Sequence, residues 1–553
     1  MPTININRQV FEKLAGKKLP IEKLKDRISM LGTDLESVDE KEIIVEVFPN
    51  RPDMLSVQGF ARAFSSFINI KTGLRDYKIE KSNEKMIVDR SVADVRPYTA
   101  CAIVKGMKFD DEKIKEVIDI QEKLHITYGR NRKKVAIGIY PFEKIKTPIK
   151  FLAQNPKDIV FQPLEFDKEI NALDILEKHP AGRDYGHLLE GMKKFPVFRD
   201  ANNEVLSMPP IINSHNTGKI NEKTKDIFIE CSGFDFRVLK KCLNMIVCTL
   251  AEMGGKINSM ELIYGNKRYI TPDLSPEEMK VDIGYINKLL GLNLKEDKIK
   301  KLFERMGYNY RNKKVLIPAY RADIIHQADL AEDIAIAYGF ENFKSLIPKV
   351  ATIAQEDKFE IFKSKISSLL TGLDLIETQT YNLTNKEVQC KKMNAEISSI
   401  ELANSISSDY NVLRAWILPS LMEVLSNNKH HEYPQKMFAV GTIFKKNDKF
   451  ETNIEENERL GVAIASEKTD YTEIRQILDY LFRSLNLKYE ITDAEHNSFI
   501  EGRVGRVVVN GKKVAYIGEI NPRVLQNWEL EVPVTVFELN LTELYSQTKI
   551  SIQ

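Results

Sequence analysis

The sequence predicts an α+β multidomain chain, and three observations carry that expectation. Its 553 residues, at roughly 150 per domain, point to three or four domains. Hydrophobic residues at 43% and charged residues at 29% are ordinary for a globular chain, which excludes a disordered, fibrous or disulfide-stapled one. Strand-like runs and helical periodicities follow one another without an internal repeat or a low-complexity segment, so the domains should differ in kind.

Residues 1–86 read as short helices and a strand. They close on FPNRPDMLSVQGFARAFSSF, where Asn50, Arg51, Pro52 and Asp53 supply turn and N-cap chemistry. Leu55, Gly59 and Ala63 then suit a tightly packed helix, and the charged stretch KIEKSNEK reads as a linker. Residues 87–270 alternate strand-like runs (ACAIVKG, KVAIGIY, DIFIECSG) with helices, as an α/β domain does. In FRVLKKCLNMIVCTLAEMGG, apolar residues at 239, 242, 243, 246, 247 and 250 share one helical face, and Gly254-Gly255 ends it. Residues 271–347 run strand, helix, helix, strand, helix, a winged-helix-like order. Residues 348–553 open on the helix FEIFKSKISSLLTGL and continue through KMFAVGTIF, RVGRVVVNG and VTVFELNL as a second, larger α+β domain.

Lys and Arg number 81 against 79 Asp and Glu, so the net charge of +2 gives no global field to draw in nucleic acid. Five scattered cysteines (Cys101, Cys231, Cys242, Cys248, Cys390), without a C-x2-C pair, read as reduced core residues. No stretch approaches about 18 unbroken apolar residues, and the charged N-terminus lacks the apolar centre of a signal peptide. The expectation is a cytoplasmic protein.

Three clusters carry chemistry. In RADIIHQADLAEDIAIAYGF (321–340), at about 100° per residue, Asp329, Glu332 and Asp333 fall in one narrow sector, opposite Ala331, Ile334, Ala335 and Tyr338. Asp323 lies just upstream. Such a cluster needs compensation, either from a helix N-terminus or from a hard divalent cation such as Mg2+ or Ca2+. His326 reads as a packed or capping residue. In the second cluster, the turn Pro209-Pro210-Ile211-Ile212-Asn213-Ser214 precedes a strand whose period of two puts Glu230 and Ser232 on one face. A carboxylate, a hydroxyl and an amide together suit recognition of a substrate hydroxyl. The third is YGRNRKK. Arg130, Arg132, Lys133 and Lys134, with Tyr128 to stack, are either a local RNA contact or a solvated face.

The run PAYRADIIHQADLAEDIAIAYGFENF resembles the metal-binding module of the phenylalanyl-tRNA synthetase β-subunit family, from its Arg-x-Asp-Ile-x-His start through Asp-x-x-Glu-Asp to Ala-Tyr-Gly-Phe. FPNRPDMLSVQGFARAF is similar to the N-terminal signature of the archaeal and eukaryotic cytosolic type. QEKLHITYGRNRKKVAIGIY, HPAGRDYGHLL and VLSMPPIINS resemble its editing module. LRAWILPSLMEVLSNN, FIEGRVGR and GEINP are similar to its catalytic-like domain, and the length fits the shorter archaeal type. The resemblance implies an N-terminal module (1–86), an editing domain (87–270), a winged-helix-like metal-binding module (271–347) and a class II synthetase-like, catalytically inert domain (348–553).

It further implies Asp323, Asp329, Glu332 and Asp333 as Mg2+ ligands. It implies an α subunit that binds ATP and phenylalanine in an α2β2 heterotetramer, and tRNA(Phe) as the nucleic-acid partner. The editing pocket should draw on Leu206, Asn213, Ser214, Glu230 and Ser232, with His215 as a water-positioning candidate. Editing answers a physical need: a site built for Phe rejects Tyr weakly unless the added hydroxyl clashes, so a second, hydrolytic site clears the error. A buried carboxylate such as Glu230 accepts the phenol. Glu230 and Ser232 depart from the Asp and Thr of the archaeal pattern, which keeps open a non-catalytic assembly subunit with a decayed site. A free-standing nucleic-acid-binding protein is the third reading. ATP chemistry is not expected in the last domain, because FAVGTIF runs into Lys445-Lys446-Asn447-Asp448 without an Arg-x-Glu, and no G-x-G-x-x-R follows; Arg414 reads as a structural or interface residue.

Overall fold

In the computed structural model, which describes residues 2–348, 350 and 353–548, the strand Thr3–Asn7 pairs antiparallel with Glu42–Glu46, and Asp34–Val38 completes a three-stranded sheet. The helix Val57–Phe67 begins at Ser56, whose hydroxyl accepts the Gly59 N–H, and it is buried on almost every side. Only glycine fits at 59, because a Cβ there would lie 2.0 Å from the Asp53 carbonyl oxygen. Phe11 packs its ring 5.6 Å from Phe60 and 5.1 Å from Phe64.

The chain divides into two units, Met1–Ile347 and Pro348–Gln553. In the first, the expected linker is instead structured. Ile79–Glu80 pairs parallel with Lys256–Asn258, and Lys85–Val88 pairs parallel with both Ile149–Gln154 and Met260–Tyr264. Its charged residues sit at the exposed positions of an alternating pattern while Met86 and Val88 are buried. The partner strands lie far away in sequence, so local charge hid the pairing.

Two sheets face one another in this region. A five-stranded sheet runs in the order Ile79–Glu80, Lys256–Asn258, Tyr98–Lys105, Ile227–Gly233, Val135–Pro141. Its inner face (Cys101, Ile103, Tyr140, Phe228) packs on Met86, Phe151, Phe198 and Leu206 of a seven-stranded sheet. Its outer face carries the helices Asp111–Ile126 and Phe236–Glu252, and Cys231, Cys242 and Cys248 are buried among them. Downstream, the strands Glu277–Lys280, Asn309–Arg311 and Lys314–Ile317 form a small sheet with helices Ile283–Leu290, Glu296–Arg305 and Gln327–Tyr338.

Buried ion pairs tie these layers together. Arg51 grips Asp53 through two bonds of 2.9 Å, and Arg62 donates to Glu252 at 3.1 Å and to the Asp53 carbonyl at 3.3 Å. Tyr77 also donates to Glu252, at 2.6 Å, and the Arg62 guanidinium stands 4.0 Å over the Tyr320 ring.

The second unit is a seven-stranded sheet, antiparallel except at its Ile376–Glu377 edge. Helices Lys358–Thr371, Tyr471–Ser484 and Leu541–Gln547 cover one face, and Leu418–Asn427 packs on the other. Among the described residues no helix is long and apolar enough to cross a membrane.

Removing one partner of a buried pair strands the other charge. Asp53→Ala is therefore expected to cost about 3–5 kcal/mol in urea unfolding. Glu22→Ala, at the exposed Lys25 pair, should cost less than about 1 kcal/mol.

Candidate functional site

Every residue of the Ile227–Gly233 strand is buried, and the strand is hydrogen-bonded on both sides. At its middle, facing the second sheet, is Glu230. Burial pushes its carboxyl up to about 8, although Arg96 pulls the other way. Glu230 Oε1 lies 3.2 Å from the Tyr140 hydroxyl, which is also 2.8 Å from Ser207 Oγ and 3.4 Å from Asn213 Oδ1. Tyr140 has one proton to give, so it satisfies one acceptor at a time. Glu230 Oε2 is buried without a hydrogen bond, although the nearby Ser232 hydroxyl, like Arg96, favours the charged carboxylate.

Room for the Tyr140 hydroxyl beside Glu230 comes from Gly138, the residue paired with Glu230 on the neighbouring strand. A Cβ there would lie 2.6 Å from Glu230 Oε1 and 2.1 Å from the Tyr140 hydroxyl. A cavity of about 120 Å3 is lined by Glu230, Asn213 and Ser207 and, on another wall, by Glu122, His125 and Arg132. That volume approaches the ~150 Å3 that takes one benzene ring.

The second wall is fixed by its own bonds. His125 Nε2 accepts the Ile137 N–H at 2.8 Å, so the proton resides on Nδ1, 3.1 Å from Glu122 Oε1. Burial lowers the His125 pKa and keeps the ring neutral. Burial raises Glu122, but its bonds to His125 and Arg132 outweigh this and hold it at about 2. Arg132 donates to the Ile211 carbonyl at 2.8 Å and to Glu122 at 3.2 Å, with its guanidinium 4.2 Å over the Tyr185 ring. It ends a left-handed turn in which Arg130, Asn131 and Arg132 all have positive φ (50°, 51° and 64°). Such backbone costs about 1–2 kcal/mol per residue.

Of the residues expected in the pocket, Asn213 and Glu230 line it. Leu206 does not: it is fully buried between the sheets, and its neighbour Ser207 points into the cavity. Ser232 shares Glu230's face but accepts Arg96 Nε at 3.1 Å, so it positions that arginine. Ser214 is buried with its hydroxyl unpartnered, and His215 starts the short helix His215–Gly218; neither lines the cavity. Arg130, Lys133 and Lys134 are exposed, whereas Arg132 is committed to the wall. Tyr128 is half-buried and donates to the Val238 carbonyl at 3.4 Å, so its ring is no free stacking platform. Gly138, Tyr140, His125 and Arg96 were not anticipated. The one available signal was a glycine inside the apolar strand KVAIGIY, a mark of close approach.

The carboxylate cluster is arranged differently from the helical-sector expectation. Asp333 is buried beside Ala331 and Ile334 and accepts from Arg321 Nη2 at 2.8 Å and from the Tyr308 hydroxyl. Arg321 also holds Asp323 through bonds of 2.8 and 2.7 Å. Asp329 caps the helix, taking the Ile325 and His326 N–H groups at 2.7 Å each, and His326 completes a capping box. Glu332 is exposed. The cause is Arg321, which lies outside the helix and draws Asp323 and Asp333 inward. Among the described residues no three His, Cys, Asp or Glu side chains group as a metal site. The four carboxylates, as packed, do not fit a single Mg2+ site.

Known proteins are similar to this chain along its whole length. Family models match at residues 344–541 (phenylalanyl tRNA synthetase beta chain CLM domain), 279–340 (tRNA synthetase B5 domain) and 106–245 (B3/4 domain). The phenylalanine–tRNA ligase beta subunit of Pyrococcus abyssi is 43% identical over 99% of this chain and 100% of its own length. That of Archaeoglobus fulgidus is 37% identical over 99% of each. A crystal structure of an N-terminal fragment of the phenylalanyl-tRNA synthetase beta-subunit from Pyrococcus horikoshii, 39% identical, superposes with a TM-score of 0.59, covering 61% of this chain and 99% of that one.

The raised Glu230 pKa has a consequence for stability. The folded chain binds this proton more tightly than the unfolded chain, whose carboxyl keeps its ordinary value of 4.5. The stability it contributes is therefore full below pH 4.5 and lost as pH rises to about 8. Urea midpoints of Glu230→Gln are expected to fall less over that window than those of the parent chain.

Proposed function

The chain belongs to the phenylalanine–tRNA ligase β-subunit family, and we propose that it performs the family's hydrolytic proofreading at Glu230 while a separate α subunit performs synthesis. In this reading the ligase joins L-phenylalanine to tRNA(Phe) at the expense of ATP. The α subunit binds ATP and phenylalanine within an α2β2 cytoplasmic assembly. This chain supports that active site, helps hold tRNA(Phe) and clears Tyr-tRNA(Phe). Its parts are an N-terminal module (1–86), an editing domain (87–270), a winged-helix-like module (271–347) and an inert class II-like domain (348–553). Mg2+ is assigned no step, because Asp323 and Asp333 are already neutralised by Arg321.

One observation carries the proofreading role: the buried, unpartnered Oε2 of Glu230 on a cavity of ring size. A tyrosine side chain supplies the missing partner through its phenol, which donates to the carboxylate or accepts from the protonated carboxyl. Phenylalanine fills the same space and leaves the oxygen unpaired, a difference of about 1–3 kcal/mol. His125 cannot act as a general base, since both its nitrogens are engaged. Hydrolysis is accordingly led by binding. A water held over the bound ester attacks its carbonyl carbon, the tRNA 3′-oxygen leaves with a proton, and tyrosine and tRNA result.

Glu230→Ala should slow deacylation of Tyr-tRNA(Phe) by the α–β complex roughly tenfold to a hundredfold, with little effect on Phe-tRNA(Phe). Equal rates for variant and parent would leave the assembly-only reading in place. For RNA contact, the turn's three exposed cations are the candidates. Neutralising Arg130, Lys133 and Lys134 together is expected to flatten the dependence of tRNA affinity on salt, measured as log Kd against log salt concentration.

A further inference from the structure

The second unit holds a group of cations for which the proofreading reading has no use. Strand pairing fixes their positions on the sheet face that carries the helix Leu418–Asn427. Glu538 is flanked by Gly461 and Tyr516 on the adjacent strands, and Arg506 stands opposite Tyr516. Arg459 lies two residues from Gly461 on the same face, opposite Gly441 and Asn540. Lys445 is four residues from Gly441, so it shares that face too. Arg414 reaches across Gly441, where a Cβ would come within 2.1 Å of its Nη2. Adjacent strands lie about 4.8 Å apart, so four long cationic side chains converge on one carboxylate.

That carboxylate is committed elsewhere. Glu538 Oε2 accepts the Ile417 and Leu418 N–H groups at 2.9 and 3.1 Å, at the start of the helix. Arg414 is committed as well, donating to the Thr442 carbonyl at 2.7 Å and to Thr380 Oγ1 at 2.9 Å. The other three cations form no salt bridge among the described residues; Glu455 stands opposite Lys445 on the next strand, but its carboxylate is hydrogen-bonded by Asn447 and Asn457. Arg459 Nε is buried without a partner, and the Arg506 guanidinium rests 3.9 Å over the Tyr516 ring. Burial lowers the proton affinity of both Lys445 and Arg506, and the neighbouring charge of Arg459 lowers it further. Like charges held together in this way are relieved by an anion. Tyr516 in turn lies 5.1 Å from the His496 ring, in the wall of a cavity of about 570 Å3.

We propose that Lys445, Arg459 and Arg506 bind a small phosphate-class polyanion, either free pyrophosphate or the phosphate chain of a nucleotide, without performing chemistry on it. Two guanidinium groups and an ammonium on one face match the oxygens of linked phosphates. Arg459 and Arg506 are recessed on the sheet, which suits a small ion better than the surface of a macromolecule.

Calorimetric titration of pyrophosphate into the full-length chain tests this. Saturable binding is expected, weakened about tenfold in Arg459→Ala and in Arg506→Ala. Glu538→Gln should bind more tightly. It keeps an oxygen for the Ile417 and Leu418 N–H groups but removes the competing charge, and partial unfolding cannot produce that gain. ATP displacing pyrophosphate while adenosine does not would assign the nucleotide phosphate chain; ATP failing to displace it would assign the free ion. Absence of saturable pyrophosphate binding, as expected if RNA or an acidic protein segment is the true occupant, overturns the proposal. So does unchanged affinity across all three variants.

Discussion

A carboxyl group on the middle strand of a buried sheet must find hydrogen-bond partners or keep its proton, and the larger unit is arranged around that constraint. Glycine at 138 leaves room for the Tyr140 hydroxyl, which reaches the first oxygen of Glu230. Arg96, held by Ser232, supplies the nearest opposing charge. The second oxygen is left alone, although a buried acceptor without a donor costs about 1–3 kcal/mol. A folding sequence has no reason to keep such a defect. In the proofreading role proposed above, that oxygen is the partner an extra substrate hydroxyl would find.

Arginine serves a second purpose throughout the first unit. Arg51 with Asp53 and Arg321 with Asp323 and Asp333 are buried clasps within local segments, while Arg62 with Glu252 joins segments far apart in sequence. A guanidinium donates through several N–H groups in a fixed plane, so one side chain fixes the orientation of two carboxylates at once. In the 271–347 segment Arg321 takes the compensating role that the sequence suggested for a cation or a helix end. Asp329 does sit at the helix end, so the cluster divides between two of the mechanisms that can neutralise acidic groups. In the second unit Arg459 and Arg506 form no salt bridge among the described residues, although Arg503 pairs with Glu519.

The sequence resolved what depends on neighbours along the chain. The strands containing KVAIGIY and DIFIECSG, the helix after Phe236 and the placement of Glu230 and Asn213 follow from periods of two and 3.6 and from side-chain chemistry. It missed what depends on distant partners. Leu206 and Ser207 exchange places by a one-residue step, which reverses every side chain in a strand. Asp333 turned inward because of Arg321, a residue outside the helical window. The charged segment ahead of residue 87 became an edge strand and the start of an interior one because their partners lie at 149–154 and 256–264. Ser232 and Arg132 had suitable chemistry but were already engaged by Arg96 and by the Ile211 carbonyl.

The absent side chain at Gly138 also bears on how such a pocket is inherited. A glycine codon becomes an alanine codon by one base change, the shortest mutational step there is. Here that step would push a methyl against the hydroxyl of a fully buried tyrosine as well as against Glu230. Such a change could not pass quietly, because the core around Glu230 would be disturbed at the same stroke. The glycine is thus held in place twice, by Glu230 on one side and by Tyr140 on the other.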